Sequence, residues 1–410
     1  MKDPAGSRRV LVHVGAPKTG TSFVQDVLWR NRESLAEQGI LYPADRFDEH
    51  FLAALDLLEL HWGGLERQAV GAWDQLAARV RDWPGTAIVS HEILATATRP
   101  QVRRALESFG DAEVHVVLSA RDLVRQIPAE WQENLKHRRT VGYHEFLDRV
   151  TDPERSGELA SWFWGVQEVP DILDRWGGTL NPERVHLVTV PQAGAPRDLL
   201  WKRFASVLGL DAAALAPETT RANASLGVPE TALVRRLNER VNGILPNEDY
   251  RELVRELLAH RTLSERTGSP RLGLPPGVRS WAADLSEAWI EDLSGRGYDV
   301  TGSLDELRPD PLTAEEERAG FADPDHPDEA AVADAATQSL VTLLTETARL
   351  RDVEATLQGR LAASYDELER SRGPWFRTRR RLVLAADGNR LASFGLAVYR
   401  RVRGRSSRSA

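Results

Sequence analysis

Short apolar runs alternate with longer amphipathic stretches over the first 300 residues of the chain. The apolar runs are rich in Val and Ile and end at Gly, Pro or polar residues, which is typical of parallel strands buried on both faces. Helical spacing of apolar residues characterises the stretches between them. Strands are predicted at 10–14, 86–90, 114–119 and 185–190, and helices at 51–60, 65–83, 162–176, 199–210 and 231–244. The pattern predicts an α/β domain over residues 8–300, with a central parallel sheet flanked by helices in three layers.

The periodic pattern breaks after this domain. Residues 301–330 place prolines among Asp and Glu, which predicts an acidic, solvated linker. Residues 331–372 predict a helix, in which Leu343, Leu350 and Leu357 stand seven positions apart. This spacing favours a short coiled coil of about three to four heptads, which would allow self-association or docking onto a partner helix. A lone solvated helix is the alternative.

Residues 373–410 form a tail that is rich in arginine, with aromatic and aliphatic side chains interleaved, among them Trp375 and Phe376. Two interpretations remain open. The tail is either a disordered, solubilising end or an amphipathic segment that lies on an anionic membrane face.

Composition narrows the class of protein. The net charge of −8 argues against a nucleic-acid partner. With no cysteine, the chain has neither a disulfide framework nor a thiolate metal site. No apolar run reaches the ~18 residues of a membrane span, and residues 1–9 lack the apolar run of a secretory signal. We expect a cytoplasmic protein without a metal, peripheral at the inner membrane face if the tail binds lipid.

The most specific signal is a Gly-rich loop that follows the first predicted strand. Gly15 and Gly20 bracket the loop, and a helix is predicted to start near Thr21. A strand, a tight turn and a helix N-terminus together direct backbone N–H groups at one point, which favours an anion there. A nucleotide-hydrolysing P-loop places its lysine directly after the second glycine. Here the lysine, Lys18, lies inside the loop and is one of only four in the chain.

This loop resembles the 5′-phosphosulfate loop of the sulfotransferases that use 3′-phosphoadenosine 5′-phosphosulfate (PAPS), particularly the bacterial P-loop sulfotransferases. The matching residues are Pro17, Lys18, Thr19, Gly20, Thr21 and Ser22. The resemblance implies a P-loop-like fold, with PAPS as co-substrate held by these six residues. It also implies in-line transfer of a sulfuryl group to a hydroxyl or amine of a glycan, lipid or small molecule. In that family the lysine neutralises the oxygen that bridges phosphorus and sulfur.

Two titratable residues, His91 and Glu92, follow the second predicted strand. Transfer needs a base that takes the proton of the acceptor. Family members that act on small molecules place a histidine here, whereas glycan-modifying and several bacterial members use a glutamate, so both residues remain candidates. The zinc signature H-E-x-x-H is excluded because position 95 is alanine. The structural alternative is that His91 caps a helix and Glu92 pairs with an arginine.

Arg121 follows the third predicted strand and matches the arginine that binds the 3′-phosphate of PAPS in this family. The serine expected eight positions later is replaced by Ala129. Ser119, Arg125 or Gln126 would have to take its place. The polar stretch beyond, with Gln132, Lys136 and His137, is either a solvated helix with a basic end or part of the acceptor cleft.

Two further function classes remain. One is a P-loop nucleotide kinase or hydrolase, against which the position of Lys18 argues. The other is a binding protein on a sulfotransferase scaffold that has lost catalysis, for which Ala129 is the main argument.

Overall fold

The computed structural model describes residues 8–215, 225–371, 373 and 381, and these residues contain one six-stranded sheet. The sheet has the order β2-β3-β1-β4-β5-β6, and every neighbouring pair is parallel. The strands are β1 (Arg9–His13), β2 (Ile40–Leu41), β3 (Thr86–Ser90), β4 (Glu113–Ala120), β5 (Val185–Thr189) and β6 (Asp299–Thr301).

Helices connect the strands. In chain order they are α1 (Thr21–Arg30), α2 (Arg32–Glu37), α3 (Glu49–Leu58), α4 (Glu66–Ala69), α5 (Ala72–Asp82), α6 (Arg99–Ser108), α7 (Leu123–Lys136), α8 (Tyr143–Thr151), α9 (Gly157–Gln167), α10 (Val169–Gly177), α11 (Leu199–Leu208), α12 (Val228–Val241), α13 (Asn247–Asp249), α14 (Pro276–Ser294), α15 (Ala314–Ala319) and α16 (Glu329–Ser371). A π-helix, Tyr250–His260, follows α13, and 3-10 helices cover Glu92–Thr96, Pro182–Arg184, Leu263–Glu265 and Leu304–Leu307.

Two hydrophobic cores cover the two faces of the sheet. Successive residues of a strand face opposite sides, so Val10 and Val12 of β1 join the larger core while Leu11 joins the smaller one. The larger core includes residues of α3, α5 and α7–α10, and the smaller one includes Leu28 of α1 and Phe204 of α11. This arrangement confirms the predicted α/β fold with a parallel sheet between helices.

The order of the strands locates the place for a ligand. The chain runs from β1 to β2 and β3 on one side of β1, and then crosses to β4 on the other side. His13, at the end of β1, lies in register with Ser90 of β3 and Val117 of β4. Open parallel sheets bind ligands where the strand order reverses in this way, outside the carboxyl ends of the strands. The loops after β1, β3 and β4 meet at this point.

Two of the predicted helices are interrupted. The prediction for 65–83 breaks at Gly71, whose φ of 76° suits glycine, and the Asp56 carboxylate accepts hydrogen bonds from the backbone N–H groups of Gly71 and Trp73. The prediction for 162–176 breaks at Glu168, which caps the next helix, and Pro170 in the first turn of that helix has no N–H to continue the preceding one.

The acidic segment differs from the predicted solvated linker. Residue Leu307 is buried, and the Glu306 carboxylate accepts hydrogen bonds from both terminal nitrogens of Arg203, at 2.7 and 2.9 Å. Asp325 accepts from the backbone N–H groups of Tyr143 and His144, both at 2.9 Å, and so caps α8. Carboxylates that the sequence suggested were solvated therefore attach this segment to the α/β domain.

The chain divides into two compact units, Met1–Gln338 and Ser339–Ala410. Helix α16 begins in the first unit and covers most of the predicted 331–372 helix. No helix among the described residues has both the length and the apolar character that crossing a bilayer requires. Apart from residues 373 and 381, the arginine-rich tail 373–410 lies outside the described residues, and so does any membrane contact predicted for it.

Candidate active site

The loop after β1 is fixed to the end of β4. The backbone N–H of Ala16 donates to the Ser119 carbonyl at 2.9 Å, and the Ser119 hydroxyl donates to the Gly15 carbonyl at 2.8 Å. Thr19 is buried and bonds through its hydroxyl to Ser119. Gly20 has a φ of 92° and precedes α1. These hydrogen bonds fix the loop to the end of β4, and Lys18 lines the cleft.

Lys18 itself has a positive φ of 63°. For a residue with a Cβ, this left-handed conformation costs roughly 1–2 kcal/mol. Its ammonium group donates to the Glu133 carboxylate at 2.7 Å. Arg255 and His137 approach the other oxygen of the same carboxylate, at 3.1 and 3.2 Å. Burial alone would raise the pKa of Glu133, but the Lys18 charge foremost, then the His137 hydrogen bond and the Arg255 charge, hold it well below its usual range.

A buried amide network lies behind the loop. Gln126 donates through Nε2 to the Pro17 carbonyl and to Oε1 of Gln167, and Gln167 donates to the Glu130 carboxylate at 2.9 Å. Burial raises the pKa of Glu130 to about 7, against the opposing effect of the nearby Lys18 charge. Gln126 and Gln167 are therefore positioning residues for the loop.

His91 and Glu92 meet the loop at the end of β3. The backbone N–H of His91 donates to the His13 carbonyl at 3.1 Å, and Nδ1 of His91 accepts from the Ile93 backbone at 3.3 Å, so His91 caps the short helix that follows. One Glu92 oxygen accepts from Nε2 of Gln25 at 2.8 Å. The structural alternative predicted that His91 caps a helix, and it does. It also predicted that Glu92 pairs with an arginine, whereas Glu92 pairs with Gln25.

Their neighbourhood fixes the protonation of this pair. Burial lowers the pKa of His91, although the Glu92 charge opposes the shift. Burial by itself would raise the pKa of Glu92, yet the His91 ring and the Gln25 hydrogen bond outweigh it and lower the pKa. Because Nδ1 of His91 accepts a hydrogen bond, the proton of the neutral ring lies on Nε2.

Two more histidines lie beneath this pair. Nδ1 of His13 bonds the Ser90 hydroxyl at 2.8 Å, and Nδ1 of His50 accepts from the Ser90 backbone at 3.1 Å. Burial lowers the pKa of His13 to about 4 and that of His50 to about 3. Both rings are neutral at physiological pH, and both leave Nε2 without a hydrogen bond among the described residues.

Arg121 follows β4 and lines the same cleft. Its guanidinium donates once, to the Arg125 carbonyl at 2.8 Å, and its buried Nε has no partner among the residues described. Burial and the Arg125 charge lower the pKa of Arg121 to about 10, so the group remains cationic at neutral pH. Unused donors on a buried cation make Arg121 suited to an oxyanion.

In the sulfotransferase family a serine is expected at the position of Ala129. None of the three residues suggested to replace it has a free hydroxyl or amide donor. Ser119 donates to the loop, and Gln126 uses its amide N–H groups on Pro17 and Gln167. Arg125 pairs with Asp122 and donates to the Pro191 carbonyl, which leaves Nη2 as its one unpartnered nitrogen in the described part of the chain. Ala129 itself lines the cleft.

The cleft has a volume of about 2900 Å³ and contains all nine residues predicted for the site. Aromatic rings form one wall beside His91. Phe51 stacks on His91, with 5.0 Å between the ring centroids. The ring centroid of Trp62 lies 5.6, 5.8 and 5.9 Å from those of Phe51, Trp162 and His137. An extended apolar wall next to polar groups is typical of a small-molecule site.

Sequence analysis missed Glu133, Glu130 and Gln167, and it gave no signal for the aromatic wall. Glu133 lies one helical turn before Lys136 on a helix that the sequence left open to interpretation as solvated. Gln132 and Lys136 are in fact buried, whereas His137 is exposed on one side of its ring. In the structure, this polar helix, α7, has no exposed residue.

Comparison of the chain with family models, with curated proteins and with solved structures finds no match in any of the three.

Proposed function

We propose that this chain is a PAPS-dependent sulfotransferase with a P-loop-like fold. The observation that carries the proposal is that Lys18, Arg121 and Glu92, which come from the ends of three adjacent strands, line one cleft at the reversal of strand order. Two cations and one carboxylate are the charges that an anionic donor and a protonated acceptor require.

The donor would span from Arg121 to the loop. Its 3′-phosphate would lie against the part of the Arg121 guanidinium that lines the cleft. Its 5′-phosphate would lie over residues 17–22, where the first turn of α1 has backbone N–H groups without intrahelical partners. The Lys18 ammonium, which already pairs with an anionic oxygen of Glu133, would then exchange that carboxylate for the bridging oxygen of the donor.

Transfer would be a single displacement at sulfur. The acceptor oxygen or nitrogen forms a bond to sulfur while the bond from sulfur to the bridging phosphate oxygen breaks, and 3′-phosphoadenosine 5′-phosphate (PAP) leaves with that oxygen. Like phosphoryl transfer, this reaction passes through a loose transition state in which the leaving oxygen gains negative charge. Lys18 stabilises that charge as it develops.

Glu92 is the proposed base that takes the acceptor proton. Burial would raise the pKa of Glu92, but the His91 ring and the Gln25 hydrogen bond lower it, which favours the carboxylate form that a base needs. The accepting nitrogen of His91, by contrast, is already bonded to the Ile93 backbone. His91 keeps a proton on Nε2 and so can donate a hydrogen bond to the acceptor. Between the two candidates, these hydrogen bonds favour Glu92.

Thermal unfolding with different nucleotides tests the donor. PAP at a hundredfold excess over its Kd should stabilise the fold by about 2.7 kcal/mol, a shift of several degrees. ATP or GTP with magnesium should give no comparable shift. Stabilisation by ATP with magnesium alone would favour the kinase or hydrolase reading, and stabilisation by PAP without turnover on any acceptor would favour a binding protein.

Lys18→Ala tests the mechanism. Loss of the cation should lower transfer at least about 10²-fold, the size seen when a donor to a developing anion is removed. Lys202→Ala is the matched control, since Lys202 is exposed and pairs only with Asp198 one turn away. Unchanged turnover in the folded Lys18 variant would remove Lys18 from the reaction.

A further inference from the structure

Lys136 is a buried cation that has no partner among the residues described. Its side chain lines the cleft, and only 7% of the residue is exposed. Among the described residues its ammonium group makes no hydrogen bond and no ion pair. Burial, reinforced by the charge of Lys18, lowers the pKa of Lys136 to about 8. The ammonium nitrogen is not among the enclosed nitrogens that lack a hydrogen bond, so it reaches the open cleft. A charge with little water around it is stabilised when an opposite charge meets it, and an anionic ligand in the cleft could supply that charge.

The neighbouring carboxylates do not fill this role. Glu133 is already bound by Lys18, Arg255 and His137. Glu256 attracts Lys136 only weakly, less than Arg255 repels it. Nearby His260 is neutral, because burial, and then the Lys136 charge, lowers its pKa to about 4. The charges of Lys18 and Arg255 around Lys136 therefore balance those of Glu133 and Glu256, and the charge of Lys136 itself is the one left without a counterpart.

Positions along α7 place Lys136 beyond the reacting centre. Arg121 precedes this helix, Ala129 and Glu133 line its middle, and Lys136 is its last residue. At 1.5 Å per residue, Lys136 lies about 20 Å further along than Arg121. If the donor extends from Arg121 to Lys18, Lys136 is on the far side. It lies next to His137, which contacts Trp62 of the aromatic wall.

We propose that Lys136 binds an anionic group of the acceptor, such as a carboxylate, sulfate or phosphate ester, so that the acceptor belongs to the class of acidic molecules. This inference rests on the proposed function and makes it more specific. The aromatic wall would cover the uncharged part of the same acceptor.

The four lysines of the chain allow a direct test. Protein labelled with 13C at the lysine ε-carbon gives four side-chain NMR signals, and the variants Lys18→Met, Lys136→Met and Lys202→Met assign three of them. PAP is added to saturation, and inorganic sulfate is then titrated as the probe for the anionic group. Sulfate should shift the Lys136 signal saturably and raise the pH at which it titrates. The Lys202 signal should not move.

The Lys18 signal separates the two possible sources of the anion. If sulfate shifts the Lys18 and Lys136 signals together with one midpoint, the anion occupies the place of the transferred sulfuryl group, and the acceptor assignment is wrong. If Lys136 responds no more than Lys202, sulfate is an adventitious ion only, and the inference also fails. A failure of PAP to move the Lys18 signal would count against the sulfotransferase proposal instead.

Calorimetry on variants provides a second measurement. In Lys136→Met saturated with PAP, the Kd for sulfate should rise about tenfold or more, the usual loss when a charge-assisted contact is removed. Lys136→Arg should restore most of the affinity, and Lys202→Met should leave it unchanged. If Lys136→Met weakens PAP instead of sulfate, Lys136 belongs to the donor site.

Discussion

Glu92 and His91 are adjacent in sequence, and exchanging each for an isosteric amide separates their roles. Glu92→Gln keeps the acceptor of the Gln25 hydrogen bond but removes the base. We expect kcat to fall about 10²–10⁴-fold, the usual contribution of general base catalysis, with little change in the affinity for PAP. His91→Asn should cost less than Glu92→Gln because it removes only a hydrogen-bond donor. Steady-state kinetics with both variants would decide, and the reverse order would make His91 the base.

The buried ring of His13 predicts how stability depends on pH. Its pKa is about 4 in the folded protein, against 6.5 when exposed, so protonation favours the unfolded chain. The stabilisation is complete above pH 6.5 and is lost as the pH falls toward 4. The shift corresponds to about 3 kcal/mol.

The measurement is urea unfolding of wild type and His13→Gln at pH 7 and pH 4. The variant should be less stable at pH 7 but should lose about 3 kcal/mol less on acidification. His61→Gln is the control, since its ring is exposed. If wild type and His13→Gln lose the same free energy, His13 does not contribute to acid unfolding.

Only some of the site residues could be found from local sequence. Lys18 stands out because a glycine turn follows a buried run, and Glu92 because it ends one. Glu133 could not be predicted, since its role comes from a contact with Lys18 across 115 positions. The unpartnered state of Lys136 likewise depends on which side chains fold over it.

At the scale of single elements, α7 lines the cleft with Ala129, Glu133 and Lys136, and Ala129 stands where the proposed donor site lacks a hydroxyl. Ala129→Ser should tighten PAP binding by about tenfold, because a hydroxyl there would bond to the 3′-phosphate that Arg121 is proposed to hold. Calorimetry with PAP measures the gain. The same substitution in an Arg121→Gln background should give little gain. Equal gains in both backgrounds would move the 3′-phosphate away from Arg121, and no gain in either would move it away from this helix.

Long, strongly patterned elements were predictable, and short or contact-dependent ones were not. The strand prediction for 86–90 matches β3 residue for residue. Strands β2 and β6, of two and three residues, are too short to show a period. Within 301–330, residues 311–320 are exposed, but composition alone cannot distinguish a solvated carboxylate from Asp325, which caps a helix some 180 positions earlier.

At the scale of the whole molecule, α16 combines a folded anchor with an exposed apolar row. Val332 and Ala335 are buried in the first unit, whereas Leu350, Leu357 and Leu361 are exposed, the last two by 57% each. Rows of this kind at heptad spacing normally face a partner helix. We propose that the partner is α16 of a second copy.

Leu350→Asp tests this pairing, because a carboxylate in a coiled-coil seam loses its hydration without gaining a partner. The wild-type chain should sediment as a concentration-dependent dimer, and the variant as a monomer. Leu344→Asp is the matched control, since Leu344 is also exposed but lies one position outside the heptad row. A wild-type monomer at every concentration, or equal effects of the two substitutions, would leave α16 as a solvated helix.

Since every residue that lines the cleft comes from positions 17–265, sulfuryl transfer should persist in the monomeric variant, and its loss would mean that the site needs the dimer.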